Sequence, residues 1–207
     1  MPSRRDWLKG TAALLFVRDA LSQGRIQNGV YRLSGEARVN GQPARRDVAL
    51  RAGDTVRTGT DGEMVFVIGS DAFLVRRDCE VSLLKNGLRI ATGAVLSVFV
   101  PGKRKRIDTP TAAVGIRGTG IYVEVEPERS YVCTCYGEAV IQPRDDASAR
   151  ETVRTRHHDQ PRYVMAKGAP QMIMRAPVVN HTDSELVLLE SLVGRRPPFA
   201  GKGYKPY

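Results

Sequence analysis

Two cysteines separated by one residue, Cys133 and Cys135, and two adjacent histidines, His157 and His158, are the side chains of this sequence best equipped for chemistry. The whole chain of 207 residues holds three cysteines and three histidines, so most of its soft ligands fall within one short stretch. Residues two apart on a strand face the same side with Cα atoms about 6.6 Å apart. That spacing sits near the upper edge of disulfide geometry, so a Cys133–Cys135 bridge needs a bend in the chain. A metal spans the gap more easily, with Zn–S bonds of about 2.3 Å. Neighbouring residues of a strand point to opposite faces, so His157 and His158 converge on one ion only from a loop. His181 is a further or replacement ligand, and Cys79 lies apart. The expected metal set is Cys133, Cys135, His157 and His158, with His181 in reserve, and its donor types suit zinc or copper. Two other readings stand beside it: a redox or disulfide pair, or two small core-facing thiols and a solvated histidine pair.

Catalysis has weaker support. Cys133 and His157 could act as nucleophile and base, yet no glycine-rich nucleophile turn or paired-carboxylate constellation accompanies them. Asp145, Asp146 and Asp159 lie in polar loop sequence. Gly115-Ile116-Arg117-Gly118-Thr119-Gly120 lacks the lysine and spacing of a phosphate-binding loop. The expectation is a protein without enzymatic activity.

The elements that would position these residues read as strands and turns from about residue 30 to 142. Apolar or alternating runs occur at 30–33, 36–39, 64–68, 72–75, 80–84, 88–90, 95–100, 121–125 and 131–141. Asn40-Gly41, Gly53-Asp54, Asp61-Gly62, Asn86-Gly87 and Pro101-Gly102 punctuate them with tight-turn chemistry. Such spacing predicts an all-β fold, a sandwich, roll or short solenoid of many short strands. Residues 143–181 read as a long polar loop and accessory segment. Thr182-Asp183-Ser184-Glu185 is a capping box opening one short C-terminal helix over 182–194, with Leu186, Leu189 and Val193 at helical spacing. Residues 195–207 read as a poorly ordered tail.

The net charge of +10 and the pI near 9.9 admit an anionic partner. The only compact basic run is Lys103-Arg104-Lys105-Arg106, and no helix-turn-helix, RNP-type or C2H2 pattern goes with it. It reads as a solvated inter-strand loop, and nucleic-acid binding is not expected.

Three motifs in order carry a family resemblance. Gly35-Glu36-Ala37-Arg38-Val39-Asn40-Gly41 comes first, then Leu50-Arg51-Ala52-Gly53-Asp54-Thr55-Val56-Arg57-Thr58-Gly59, and then Thr109-Pro110-Thr111-Ala112-Ala113-Val114-Gly115-Ile116-Arg117-Gly118-Thr119. Together they resemble the FecR-type domain across residues 35 to 126. Their residues suit turns: Gly53, Gly59 and Gly118 can take backbone angles closed to other residues, and Asp54 can bond a turn backbone. The resemblance implies an extracytoplasmic β domain. In the best-known members this domain serves a membrane-anchored regulator of an iron-responsive sigma factor. The stretch preceding the β region is too short for the cytoplasmic anti-sigma segment, so direct sigma-factor control is not expected.

At the other end, Ser3-Arg4-Arg5-Asp6-Trp7-Leu8-Lys9 resembles a twin-arginine export signal. It is followed by a short apolar run and a small-x-small site at Ala20-Leu21-Ser22. Residues 1–22 are thus expected to be an export signal, and the protein periplasmic, without a membrane span. It is expected to act as a binding or sensing module with a protein partner at the cell envelope. A metal-free interaction or structural domain, whose edge strands recruit the partner, is the alternative.

Overall fold

The computed structural model describes residues 28–202 except residue 47. Residues 1–22, expected to be an export signal, lie outside these described residues. The described residues form fourteen strands and one helix. The first seven strands are β1 (Gly29–Ser34), β2 (Ala37–Val39), β3 (Gln42–Pro43), β4 (Thr55–Thr58), β5 (Glu63–Ile68), β6 (Asp71–Val75) and β7 (Glu80–Leu84). Then come β8 (Gly87–Val98), β9 (Arg104–Asp108), β10 (Ala112–Glu126), β11 (Arg129–Pro143), β12 (Glu151–Thr155), β13 (Arg162–Met165) and β14 (Ile173–Arg175). The helix is α1 (Asp183–Leu192). Among the described residues the fold is all-β with one short C-terminal helix.

All strands join one sheet, ordered β14-β13-β11-β10-β9-β8-β7-β4-β2-β3, with β1, β5 and β6 reaching it through β8 and β12 flanking β11. The long strands change partners along their length. β10 pairs with β9 over 113–117 and with β8 over 120–125. The switch falls at Gly118, whose φ of 60° is a left-handed angle that suits a residue without Cβ. β11 pairs with β12 over 137–141 and with β13 over 129–132.

Side-chain alternation explains why several strands are apolar throughout. Met64 and Phe66 of β5, Phe73 of β6, Val95 of β8, Ile121 of β10 and Val132 of β11 enter one core. Their neighbours Val65, Leu74, Leu96, Tyr122 and Cys133 enter a second core on the opposite face. Strands buried on both faces lose the apolar–polar alternation of a half-exposed sheet. The helix covers the second core with Leu186, Leu189 and Leu192, each side chain contributing about 1.5–3 kcal/mol on full burial. Its capping box is formed: Thr182 accepts from the Glu185 amide and Glu185 reaches back to the Thr182 amide.

Four features differ from the sequence reading. The run at 88–90 and most of the run at 95–100 belong to one continuous strand, β8, which ends at Val98 and carries a left-handed φ of 78° at Gly93. The basic run expected as a loop supplies β9, held between β8 and β10. The segment 143–181 carries β12, β13 and β14. In β12 the buried side chains are Val153 and Thr155, too few to make an apolar pattern. Of the tail expected to be loose, the described part 195–202 packs through Phe199 against Tyr136.

The motif residues at 35–59 serve turns. Gly53 has φ of 100°. The Asp54 carboxylate accepts from the Arg51 amide and from Asn40 Nδ2, each at 2.8 Å. Gly59 has no left-handed angle; a Cβ there would lie 3.1 Å from the Glu36 Cβ, so close packing explains it. Among the described residues no helix is long and apolar enough to cross a membrane.

Candidate metal centre

The central strand β11 places Tyr131, Cys133 and Cys135 on the face beneath α1. Its ladder with β10 is irregular there: Gly120 pairs with Tyr136 and Ile121 with Thr134, leaving Cys135 as the extra residue of a β-bulge. A bulge frees a carbonyl from the ladder. Here the Cys135 carbonyl accepts the His158 amide at 2.9 Å. His158 itself has φ of 49°, a left-handed angle uncommon outside glycine but enriched in histidine. Bulge and turn together bring the loop after β12 back over the strand, and the His158 ring reaches Cys133, with Nδ1 3.5 Å from Sγ.

The remaining donor arrives from the segment preceding α1. Tyr131 Oη donates to the Pro177 carbonyl, and Asn180 Nδ2 donates to Glu124, pinning residues 177–180 across β10 and β11. His181 then stacks on Tyr122, ring centroids 4.6 Å apart. Its Nδ1 faces the Val179 carbonyl at 2.6 Å and its Nε2 lies 2.8 Å from His158 Nδ1. Donor atoms of Cys133, Cys135, His158 and His181 all lie within 4.8 Å of one another, and all four residues are buried.

His157 does not join this group. Its Nε2 lies 2.8 Å from Asp183 Oδ2, and its ring packs on Phe199. The structure therefore brings together Cys133, Cys135 and His158 of the expected set, and puts His181 where His157 was expected. The two rings pack edge-on with centroids 4.9 Å apart and both reach Asp183, but only His158 also presents a nitrogen to Cys133. Asp183, which the sequence did not single out, lies 3.3 Å from His158 Nε2 as well. Its position just after the Thr182 cap marked it as a first-turn acid, but its partners are set by tertiary packing alone.

The electrostatics split the thiol pair. Burial works against ionisation of Cys133, yet hydrogen bonds from Cys135, His158 and His181, with the pull of His181, outweigh it and hold its pKa well below an ordinary thiol. Burial and then the neighbouring Cys133 push Cys135 well above the ordinary value. All three cysteines are free thiols. Cys79 lies elsewhere, buried with its Sγ 3.1 Å from the Ala94 carbonyl.

The donor types suit a tetrahedral ion. Zinc with Zn–S of about 2.3 Å and Zn–N of about 2.0–2.1 Å spaces its ligand atoms about 3.3–3.8 Å apart. The Cys133–His158 separation of 3.5 Å falls in that range, whereas the 2.8 Å between His158 Nδ1 and His181 Nε2 is shorter, so the two imidazoles must part by about 0.5 Å to admit the ion. The Val179 carbonyl sits behind His181 as an acceptor that can hold its outer N–H and turn the inner lone pair inward, while Asp183 Oδ1 lies 3.3 Å from His158 Nε2 as a charge partner without hydrogen-bond geometry.

No protein-family model and no curated protein matches the chain. Among solved structures it resembles two crystal structures, at 1.65 and 2.50 Å, of a Parabacteroides distasonis protein provisionally named an anti-sigma factor. Each match has a TM-score of 0.48 and 10% identity, and spans 59% of this chain and 58% of the other. The chain thus covers little more than half the length of that neighbour.

Proposed function

We propose that the protein is an exported, non-enzymatic FecR-type binding or sensing module that holds one zinc or copper ion through Cys133, Cys135, His158 and His181. The observation that carries the metal reading is the convergence of four buried soft donors from three separate segments, all within 4.8 Å. Two thiolates and two imidazoles with no further protein donor make a closed, structural type of site, and zinc is its usual occupant. A bound dication favours loss of both thiol protons, which removes the cost of a single buried thiolate. The FecR-type reading rests on the three turn motifs, and the export reading on the twin-arginine sequence.

Zinc reconstitution of the purified chain, followed by metal analysis, tests the site. One equivalent is expected in the native protein and none in Cys133→Ser or His181→Ala. A native chain that takes up no zinc or copper, with both variants folding unchanged, rejects the metal and leaves the metal-free interaction domain. A reporter fused to residues 1–22 should reach the periplasm only through the twin-arginine route.

A further inference from the structure

We propose that the outer face of β9, β10 and β11 is a binding groove for a compact ligand carrying two or more phosphates. The argument begins with the run Lys103-Arg104-Lys105-Arg106. Strand alternation sends Lys105 to the other side, where its Nζ pairs with Asp71 at 2.6 Å. Arg104 and Arg106 remain outward and exposed. Register then sets Arg104 directly opposite Arg117, and Arg106 opposite Gly115.

Like charges directly opposite on neighbouring strands are destabilising. Here nothing nearby cancels the pair fully. Glu138 lies 3.7 Å from Arg117 but is held closer by Arg154, at 2.7 Å. Asp108 is shared by Arg106 and Arg144 at 2.8 and 3.0 Å. Lys103, Arg104 and Arg150 have no acidic partner among the described residues. A groove of about 310 Å³ runs between Arg104, Arg106, Arg117 and Arg150, and no carboxylate lines it. A second hollow of about 320 Å³ adjoins it through Arg104 and Arg117, extending towards Lys103.

The floor explains how a ligand could enter. Gly115 contributes no side chain, and a Cβ built there would meet nothing closer than Val140 at 3.9 Å, so the space above it is open. Guanidinium forks match phosphate oxygens in bidentate pairs. Several cations around one slot call for more charge than a single carboxylate carries, and each phosphate monoester brings about −1.5 to −2. The groove has no aromatic lining, and its apolar lining residues, Ala113, Ile116 and Val140, are buried or half-buried, which disfavours stacked bases and insertion into a lipid surface.

Calorimetric titration of the full, metal-reconstituted chain with inorganic tripolyphosphate at low ionic strength tests the proposal. Saturable binding is expected, at least about tenfold tighter than for orthophosphate and weakening steeply with salt. The Arg104→Gln/Arg117→Gln double variant should lose about tenfold or more in affinity. Gly115→Val has room for its branch, keeps a strand-favouring residue, and should abolish binding by filling the slot while melting as the native chain does. Absence of saturable tripolyphosphate binding overturns the proposal, as does equal affinity in both variants. Tighter binding of a glutamate-rich peptide or a single-stranded oligonucleotide than of tripolyphosphate overturns it equally.

Discussion

His158 Nδ1 and His181 Nε2 face each other at 2.8 Å in a buried pocket, with the Cys133 sulfur 3.5 Å from the first of them. His181 holds its other nitrogen against the Val179 carbonyl, and His158 holds its own near Asp183. With both outer nitrogens protonated, two lone pairs would point at one another across this gap. A proton or a cation between them relieves that repulsion, and two sulfur donors beside them favour the cation.

The first prediction separates inner from outer histidines. His157 pairs with Asp183 and packs edge-on against His158 without joining the Cys133, Cys135, His158 and His181 donor group, so His157→Ala should keep one zinc per chain. Asp183→Asn should also keep it, but with affinity lower by about 10–100-fold, the usual cost of disturbing a group behind a ligating histidine. His158→Ala should lose stoichiometric zinc altogether. Competition against a chromogenic chelator measures all three. Complete zinc loss in His157→Ala would instead make His157 a ligand.

Thiol accessibility gives a second, independent readout. Zinc-loaded protein should react with none of its three thiols on mixing with Ellman's reagent. A strong chelator should release two, Cys133 and Cys135, while Cys79 waits for unfolding. Reaction of Cys133 and Cys135 in the loaded protein, with Cys79 still protected, would show that β11 is not covered by α1.

The third prediction concerns Cys79 and pH. Burial pushes its thiol from 9.0 up to about 11, against the partial help of the Ala94 backbone. The folded state therefore keeps a proton that the unfolded chain releases. Stability is complete below pH 9 and falls as pH rises towards 11, by about 1.4 kcal/mol per unit from this group. Urea midpoints taken between pH 8.5 and 11 should decline less in Cys79→Ala than in the native chain. Parallel declines would assign the loss to other groups.

Much of the fold was legible because strand and turn chemistry is local. The capping box at Thr182, the Asp54 turn and the run from Met64 to Ile68 each act within a few residues. Half of the site was legible for the same reason: Cys133 and Cys135 share a face because strand side chains repeat every second residue. His181 was legible as a replacement ligand, but the choice of it over His157 was not. It depends on the Cys135 bulge, the left-handed turn at His158 and the anchoring of residues 177–180, none of which has a local sequence pattern. Strand β9 was hidden because its exposed positions are arginines, and charge reads as loop.

The last prediction tests what holds α1 over the site. Glu190 is buried, accepts from the Tyr136 hydroxyl, and takes the Arg195 Nε at 2.5 Å, while another Arg195 nitrogen donates to the Ser70 carbonyl. Burial and then the Glu190 charge drive the Tyr136 phenol well above its ordinary pKa, so it remains a donor. Glu190→Ala strands both the arginine and the hydroxyl, and should destabilise by about 3–5 kcal/mol, as breaking a buried ion pair does. Tyr136→Phe leaves Glu190 paired with Arg195 and should cost about 1–2 kcal/mol. Gly120→Ala should be severe as well, because its Cβ would lie 2.4 Å from the Tyr136 ring. Because α1 supplies Asp183 and follows His181 directly, Glu190→Ala should also weaken zinc binding, while Tyr136→Phe should leave it close to native. Denaturation midpoints and zinc affinities measured on the same samples decide it: if Tyr136→Phe is as damaging as Glu190→Ala, the hydroxyl rather than the ion pair fixes the helix.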